Sequence, residues 1–169
     1  MPPTRSHDAR PSVQVHEAGT RDAGPGDVPE LASMHMAAHE ALMSMPKGAP
    51  LAAELRRGDD SAEVRSSFEA DLHDSDTEVL VGLLGTVTVG YGVLVPDGDR
   101  GRITELWVEP DARKVGVGTA LLEALRAEAA ARSMHGLDSV ALPGDRNTKN
   151  FFEDHAMVAR AIVVGTSDL

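Results

Sequence analysis

The stretch that decides the fold runs Leu106-Trp107-Val108-Glu109-Pro110-Asp111-Ala112-Arg113-Lys114-Val115-Gly116-Val117-Gly118-Thr119. Arg102–Val108 reads as a strand that Pro110 stops. From Val117 to Arg132 the stripe Val117, Leu121, Leu122, Leu125 and Ala129 has the period of a helix, with Ala filling the gaps. Gly116 and Gly118 flank one apolar residue where that helix begins. A helix start carries unpaired backbone N–H groups and a partial positive charge. Glycine lets an anion come close to the backbone. The arrangement suits a phosphate or pyrophosphate.

Working outward, Glu78–Leu83 and Val87–Val95 are β-branched runs separated by Leu84-Gly85-Thr86, which predicts an antiparallel hairpin with Tyr91 in its second arm. Pro96-Asp97-Gly98 is a turn signal. Leu137–Leu142 predicts a strand, Asp145–His155 a short helix and Val158–Val164 a final strand. Upstream, residues 1–12 read as a disordered tail and 13–169 as one domain. Val13–Glu17 predicts a short strand, and Asp27 an N-cap. Leu31, Met34, Ala38, Leu42 and Met45 recur at helical spacing, until Pro46, Gly48 and Pro50 end the run. Leu51–Arg57 reads as a short helix, and Ser61, Val64, Phe68 and Leu72 as another that ends near His73. This order gives an α/β single-domain fold with a mixed, mostly antiparallel sheet flanked by helices, not a doubly wound one.

The chain has 169 residues, no Cys, 16 Lys+Arg and 27 Asp+Glu, for a net charge of −11. Missing cysteine removes disulfides, zinc thiolates, iron–sulfur clusters and a Cys nucleophile. No apolar run approaches a membrane span, and MPPTRSHDARPS lacks the apolar centre of a secretory signal, so a cytoplasmic protein is expected. The negative charge argues against nucleic acid as a partner. Residues 54–78 alone carry a net −6, more than half of the excess. That run is either a solvated face or an acidic rim that attracts a cationic substrate.

Three phosphate-binding patterns compete for the glycine loop. A Rossmann fingerprint needs a third Gly where Leu121 stands, and a P-loop needs Gly-Lys-Ser/Thr, which is absent. Arg113-x-x-Gly116-x-Gly118, preceded by Val108-x-Pro110, resembles the acyl-CoA signature of the GNAT superfamily of N-acetyltransferases. The resemblance is clearest over residues 78–164. It implies that the amides of Lys114, Val115, Gly116, Val117, Gly118 and Thr119 bind the pyrophosphate of acetyl-CoA, with Arg113 and Lys114 adding charge. It implies that Leu106, Trp107 and Val108, at the splayed end of their strand, bind the pantetheine arm and polarise the thioester carbonyl. An oxyanion donor of that kind is worth roughly 3 kcal/mol.

In that family an Asn is followed seven residues later by a Tyr that protonates the leaving thiolate. Here Phe152 stands at the Tyr position and Asp145 at the Asn position, with Asn147 or Asn150 as replacement cofactor contacts. Phe152 donates no proton. A thiol pKa of about 8.5 leaves thiolate expulsion at pH 7 short by roughly 2 kcal/mol, which lowers the rate without forbidding the reaction. Water, Ser or His155 are substitutes, and a non-catalytic acyl-CoA-binding or regulatory module is the alternative reading. A primary amine acceptor must lose a proton before attack. Glu105, on the cofactor-adjacent strand, is the general base that the resemblance suggests, acting through water. His35 and His39, at i and i+4 on the first helix, read either as partly buried histidines beside the apolar stripe or as one residue lining the acceptor cleft, and without a third ligand they do not read as a metal site. Direct attack needs no enzyme nucleophile. The family's usual terminal hairpin lacks its last strand here, which predicts a sheet completed by a second copy in a homodimer.

Overall fold

Along β2 (Glu78–Leu84) the positions of Val79 and Val81 alternate with those of Leu80 and Gly82, and all four are buried. A strand covered on both faces needs a helical layer on each. The computed structural model describes residues 17–162. Its elements are β1 (Ala18–Asp22), α1 (Val28–Met43), α2 (Gly48–Glu54), α3 (Ser61–His73), β2, β3 (Val87–Asp97), β4 (Arg100–Val108), α4 (Val117–Ala131), β5 (Leu137–Asp138) and α5 (Arg146–Asp154). The sheet order is β1-β2-β3-β4-β5, antiparallel up to β4 and parallel between β4 and β5. This is the mixed α/β architecture that the sequence predicts.

On one face α1 and α3 set Leu31, Met34, Val64 and Phe68 against Val79, Val81, Tyr91 and Val93. On the other, α4 and α5 set Leu121, Leu122, Leu125 and Phe152 against Leu80, Leu94 and Ile103. The buried residues of α4 are the five of the predicted stripe. α4 lies close to the sheet because Gly82 and Gly92 beneath it have no side chain. A Cβ on Gly82 would stand 2.8 Å from Val117 Cγ1, and one on Gly92 would stand 2.8 Å from Leu125 Cδ1.

One irregularity in β4 positions the site. Val93 pairs with Glu105 and Leu94 with Ile103, so Thr104 is an extra residue in a bulge. In a regular strand, residues two apart share a face. The bulge instead leaves Ile103 on the α4 side, with Leu94, and turns Glu105 to the α1/α3 side.

Several expectations need correction. Val13–His16 and residues 1–12 and 163–169 lie outside the described residues; the first described strand is Ala18–Asp22, with Glu17 just before it. Asp27 stands at the N-cap position of α1, but its carboxylate does not cap that helix. It accepts from Gly24 N at 2.8 Å and pairs with Arg21 at 2.7 Å. α2 begins at Gly48, not Leu51, because Pro50 falls in the first turn, where its missing N–H costs nothing. α2 ends at Glu54, which leaves Arg57 in the loop before α3 instead of in the predicted helix. β5 ends at Asp138 instead of Leu142: past the bulge β4 offers it no ladder, and Ser139 Oγ donates to Ile103 O in place of a backbone amide. Val158–Ile162, the described part of the predicted last strand, forms no strand. Two residues of β5 are too short a template, so β propensity finds no partner.

The spacing of β3 and β4 is testable at Gly90, where an added Cβ would stand 2.6 Å from the backbone oxygen of Trp107. A backbone atom cannot rotate away. Gly90→Ala should lower the unfolding free energy by about 1–3 kcal/mol, read as a lower urea midpoint; an unchanged midpoint would contradict the packing.

Candidate active site

The loop after β4 makes a short 3-10 turn at Pro110–Ala112 and then a tight reversal. Lys114 (φ 65°) and Gly116 (φ 95°) both adopt left-handed backbone, and Gly116 is the N-cap of α4. Inside the helix the first amide to find a partner is that of Ala120, on Gly116 O at 2.9 Å. The amides of Val117, Gly118 and Thr119 therefore project from the helix start without intrahelical partners. Residues 113–116 are exposed. Gly118 has Phe151 against it, 3.4 Å from where its Cβ would be. The exposed reversal, the free amides and the glycines fit the anionic pyrophosphate that the sequence predicts there.

The pairing of β4 with β5 ends at Arg102–Asp138. Beyond it, among the described residues, Ile103–Val108 has a neighbouring strand on the β3 side alone, its other backbone contacts being side-chain donors, Ser139 Oγ to Ile103 O and Arg113 Nε to Val108 O. The open edge leads straight into the loop. Leu106 and Val108 face α4, whereas Trp107 packs on the opposite face beside Tyr91. Trp107 Nε1 is the one buried side-chain nitrogen or oxygen without a partner among the described residues. Arg113 folds back: its Nε donates to Val108 O at 2.8 Å and its guanidinium lies 4.7 Å from the Trp107 ring centre. Its charge therefore stands at the junction of strand and loop.

Glu105 is buried among donors. Arg57 Nε reaches Oε1 at 2.6 Å, while the Tyr91 hydroxyl at 2.6 Å and His35 Nδ1 at 2.7 Å both meet Oε2. Arg57 also bonds Asp71 at 2.6 Å and Ser67 Oγ at 3.1 Å, and lies over the Phe68 ring. Three segments, α1, the loop before α3 and β3, thus converge on one carboxylate of β4, and α3 is tied in through Arg57. Burial pushes the Glu105 carboxyl up, but the His35 hydrogen bond and the Arg57 charge outweigh it and hold the group below the ordinary carboxylate range. Burial next to the same carboxylate pushes the Tyr91 phenol well above its ordinary value. The sequence points to Glu105 and His35, but not to Arg57, Tyr91 or Asp71. The one Tyr in the chain, on the strand beside Glu105, was the available signal.

On α5, Phe152 is buried in the α4 core, so its ring packs instead of lining an open site. Asn147 is exposed on the first turn, and Asp145 caps that turn by accepting from Thr148 N at 3.0 Å. His155 is engaged at both nitrogens, with Phe151 O at 2.7 Å and Thr119 Oγ1 at 3.0 Å. His39 lies one turn along α1, its ring 6.3 Å from that of His35. Much of the acidic run at 54–78 has structural partners. Asp60 caps α3, Asp71 pairs with Arg57, Asp74 closes the turn before β2, Glu54 pairs with Arg102 and Glu78 with Arg132.

Because its pKa is depressed on folding, Glu105 stabilises the protein above the unfolded carboxyl range, about pH 4.3, and loses that contribution as pH falls through its folded value. Glu105→Ala leaves the Arg57 charge buried without its main partner. It should cost about 3–5 kcal/mol at pH 7, by urea denaturation, and less at pH 3. A deficit that is small, or equal at both pH values, would contradict the arrangement.

Among the described residues no helix is long and apolar enough to cross a membrane, and no three metal-ligating side chains cluster. No curated protein matches the sequence. Similar folds occur in several solved structures. A transcriptional regulator from Bacillus halodurans is 19% identical with a TM-score of 0.67, covering 89% of this chain and 99% of its own. A predicted acetyltransferase with acetyl-CoA from Clostridium acetobutylicum is 18% identical, TM-score 0.65, covering 89% and 96%. AAC(6')-Iy, in complex with the bisubstrate analogue CoA-S-monomethyl-acetylneamine, is 11% identical, TM-score 0.69, covering 90% and 99%. The profile of the acetyltransferase (GNAT) family matches residues 40–157, from within α1 through the loop, α4 and α5. With the glycine loop and the open β4 edge lying inside that match, the chain belongs to the acetyltransferase (GNAT) family, whose acyl donor is acetyl-CoA.

Proposed function

We propose that the protein transfers the acetyl group of acetyl-CoA to the nitrogen of a primary amine by direct attack. The observation that carries this reading is the continuity of the open β4 edge with the free amides of the α4 start. An extended amide-containing arm pairs naturally with an open strand, and its pyrophosphate with a helix start. In this reading the amides of Lys114–Thr119 hold the pyrophosphate, Lys114 and Arg113 add charge, and main-chain groups of Leu106–Val108 align the pantetheine arm. Asn147, exposed on the first turn of α5, is a further cofactor contact in this reading. Phe152 supports the cofactor wall through Phe151, which touches Gly118. Holding amine and thioester together supplies roughly 7–11 kcal/mol of the barrier reduction, so no enzyme nucleophile is needed.

The acceptor is a cation in this reading, now for a sharper reason than the acidic run. Glu105 and Asp71 share a single Arg57, so the cluster has surplus negative charge when His35 is neutral. A homodimer that pairs at the outer edge of β5 follows from the exposed Val158 and Ile162 beside it. The buried Phe152 favours the alternative of an acyl-CoA-binding module, since no hydroxyl stands where the family's proton donor does.

CoA should raise the thermal midpoint, with about 2.7 kcal/mol of added stability at a hundredfold excess over Kd. Gly116→Glu should abolish the shift by adding bulk, strain and like charge at the pyrophosphate. No shift in the unaltered protein at millimolar CoA, or an unchanged shift in the variant, would defeat the reading.

A further inference from the structure

Glu105 is poorly placed to take a proton from an ammonium. Its carboxylate already accepts from Arg57, Tyr91 and His35. To act as base it would have to give up one of these contacts in a buried setting, where each lost contact costs more than in water. The residue it holds is a different matter. A carboxylate only accepts, so the proton in the His35–Glu105 hydrogen bond sits on His35 Nδ1. In the neutral ring the lone pair is then on Nε2. That nitrogen has no hydrogen-bond partner among the described residues, and it is not among the fully enclosed unpartnered atoms. So Nε2 is not completely enclosed, although His35 is 4% exposed. A carboxylate fixing one imidazole nitrogen while the other stays open is the arrangement of an oriented base.

We infer that His35 Nε2 is the acceptor-side general base and that Glu105, with Arg57 and Tyr91, is its positioning group. The inference rests on the acetyl-transfer reading and names the residue that makes its acceptor nucleophilic. The groups around the ring are consistent with this. Glu105 faces it from β4 and Tyr91 from β3, the Phe68 ring stands edge-on from α3 at 6.1 Å, and His39 lies one helical turn away. Arg57 and Asp71 lie behind Glu105. Among the described residues no cation is hydrogen-bonded to the ring.

The protons balance. The ammonium gives one proton to Nε2 and becomes an amine. The amine lone pair forms the C–N bond as the C–S bond breaks, and that electron pair leaves with sulfur. The nitrogen then sheds a second proton. Of the two protons released, one ends on the thiolate to give the free thiol and the other passes to solvent.

The test uses two small acceptors of nearly equal size, ethylamine and 2,2,2-trifluoroethylamine, with acetyl-CoA and thiol release as the readout. At neutral pH the first is an ammonium and the second is largely uncharged. His35→Asn keeps a donor toward Glu105 but lacks a group at the Nε2 position. It should slow turnover of ethylamine by about a hundredfold or more, leave trifluoroethylamine within a few-fold, and regain ethylamine turnover with added imidazole. If His35→Asn does not fold, as judged by a thermal scan, His35→Gln, whose amide takes no proton but loses the donor toward Glu105, is read only on the difference between the two amines. Equal losses for both amines would overturn the inference and leave His35 a structural residue. Acetyl-CoA binding without acceleration of either amine by the unaltered protein would overturn the inference together with the acetyl-transfer reading. Failure to bind acetyl-CoA at all would instead defeat the acetyl-transfer reading on which it rests.

Discussion

A carboxylate taken out of water must be surrounded by donors, and this requirement organises the half of the molecule away from α4. Glu105 draws His35 from α1, Arg57 from the loop after α2 and Tyr91 from β3, while Arg57 in turn ties down Asp71 and Ser67 of α3. The bulge at Thr104 makes this possible, because a regular β4 would aim Glu105 into the apolar α4 core. There an isolated charge would cost many kcal/mol. One extra residue therefore separates a buried polar cluster from a hydrophobic layer.

The other half is built from smallness. Gly82 and Gly92 let α4 press onto the sheet, and that close seating brings the helix start up to the end of β4. β4 continues past its short pairing with β5, so an edge stays open where the loop begins. The proposed acyl-donor and acceptor sides are thus two faces of the same strand: Leu106 and Val108 look one way, Glu105 and Trp107 the other. A group bound along that edge lies within reach of both.

How much of this is legible in the sequence follows from the range of each interaction. The α4 stripe, the glycine loop and α3 are local patterns, and they appear where periodicity and turn chemistry put them. Glu105 and His35 attract notice as residue types, but they lie 70 positions apart and nothing local joins them. Arg57 is invisible as a partner because it reads as helical, whereas α2 ends at Glu54 and leaves it in the loop. The strand expected at Val158–Val164 shows the limit of propensity. Its described residues lack a ladder to join, because β5 stops after Asp138, and Arg160 instead pairs with Asp138 at 2.8 Å. The net charge of −11 is the least transferable signal: much of the acidic run consists of helix caps, turn closures and ion pairs.

The central claim is that this chain is an amine acetyltransferase and not only a binder of acetyl-CoA. The most direct measurement incubates it with acetyl-CoA and a panel of peptides, polyamines and aminoglycosides, and follows thiol release and product mass together. The account predicts that at least one primary amine gains an acetyl group on nitrogen with one thiol released for each. Tight acetyl-CoA binding with no acetylated amine anywhere in the panel would contradict it and favour the non-catalytic module.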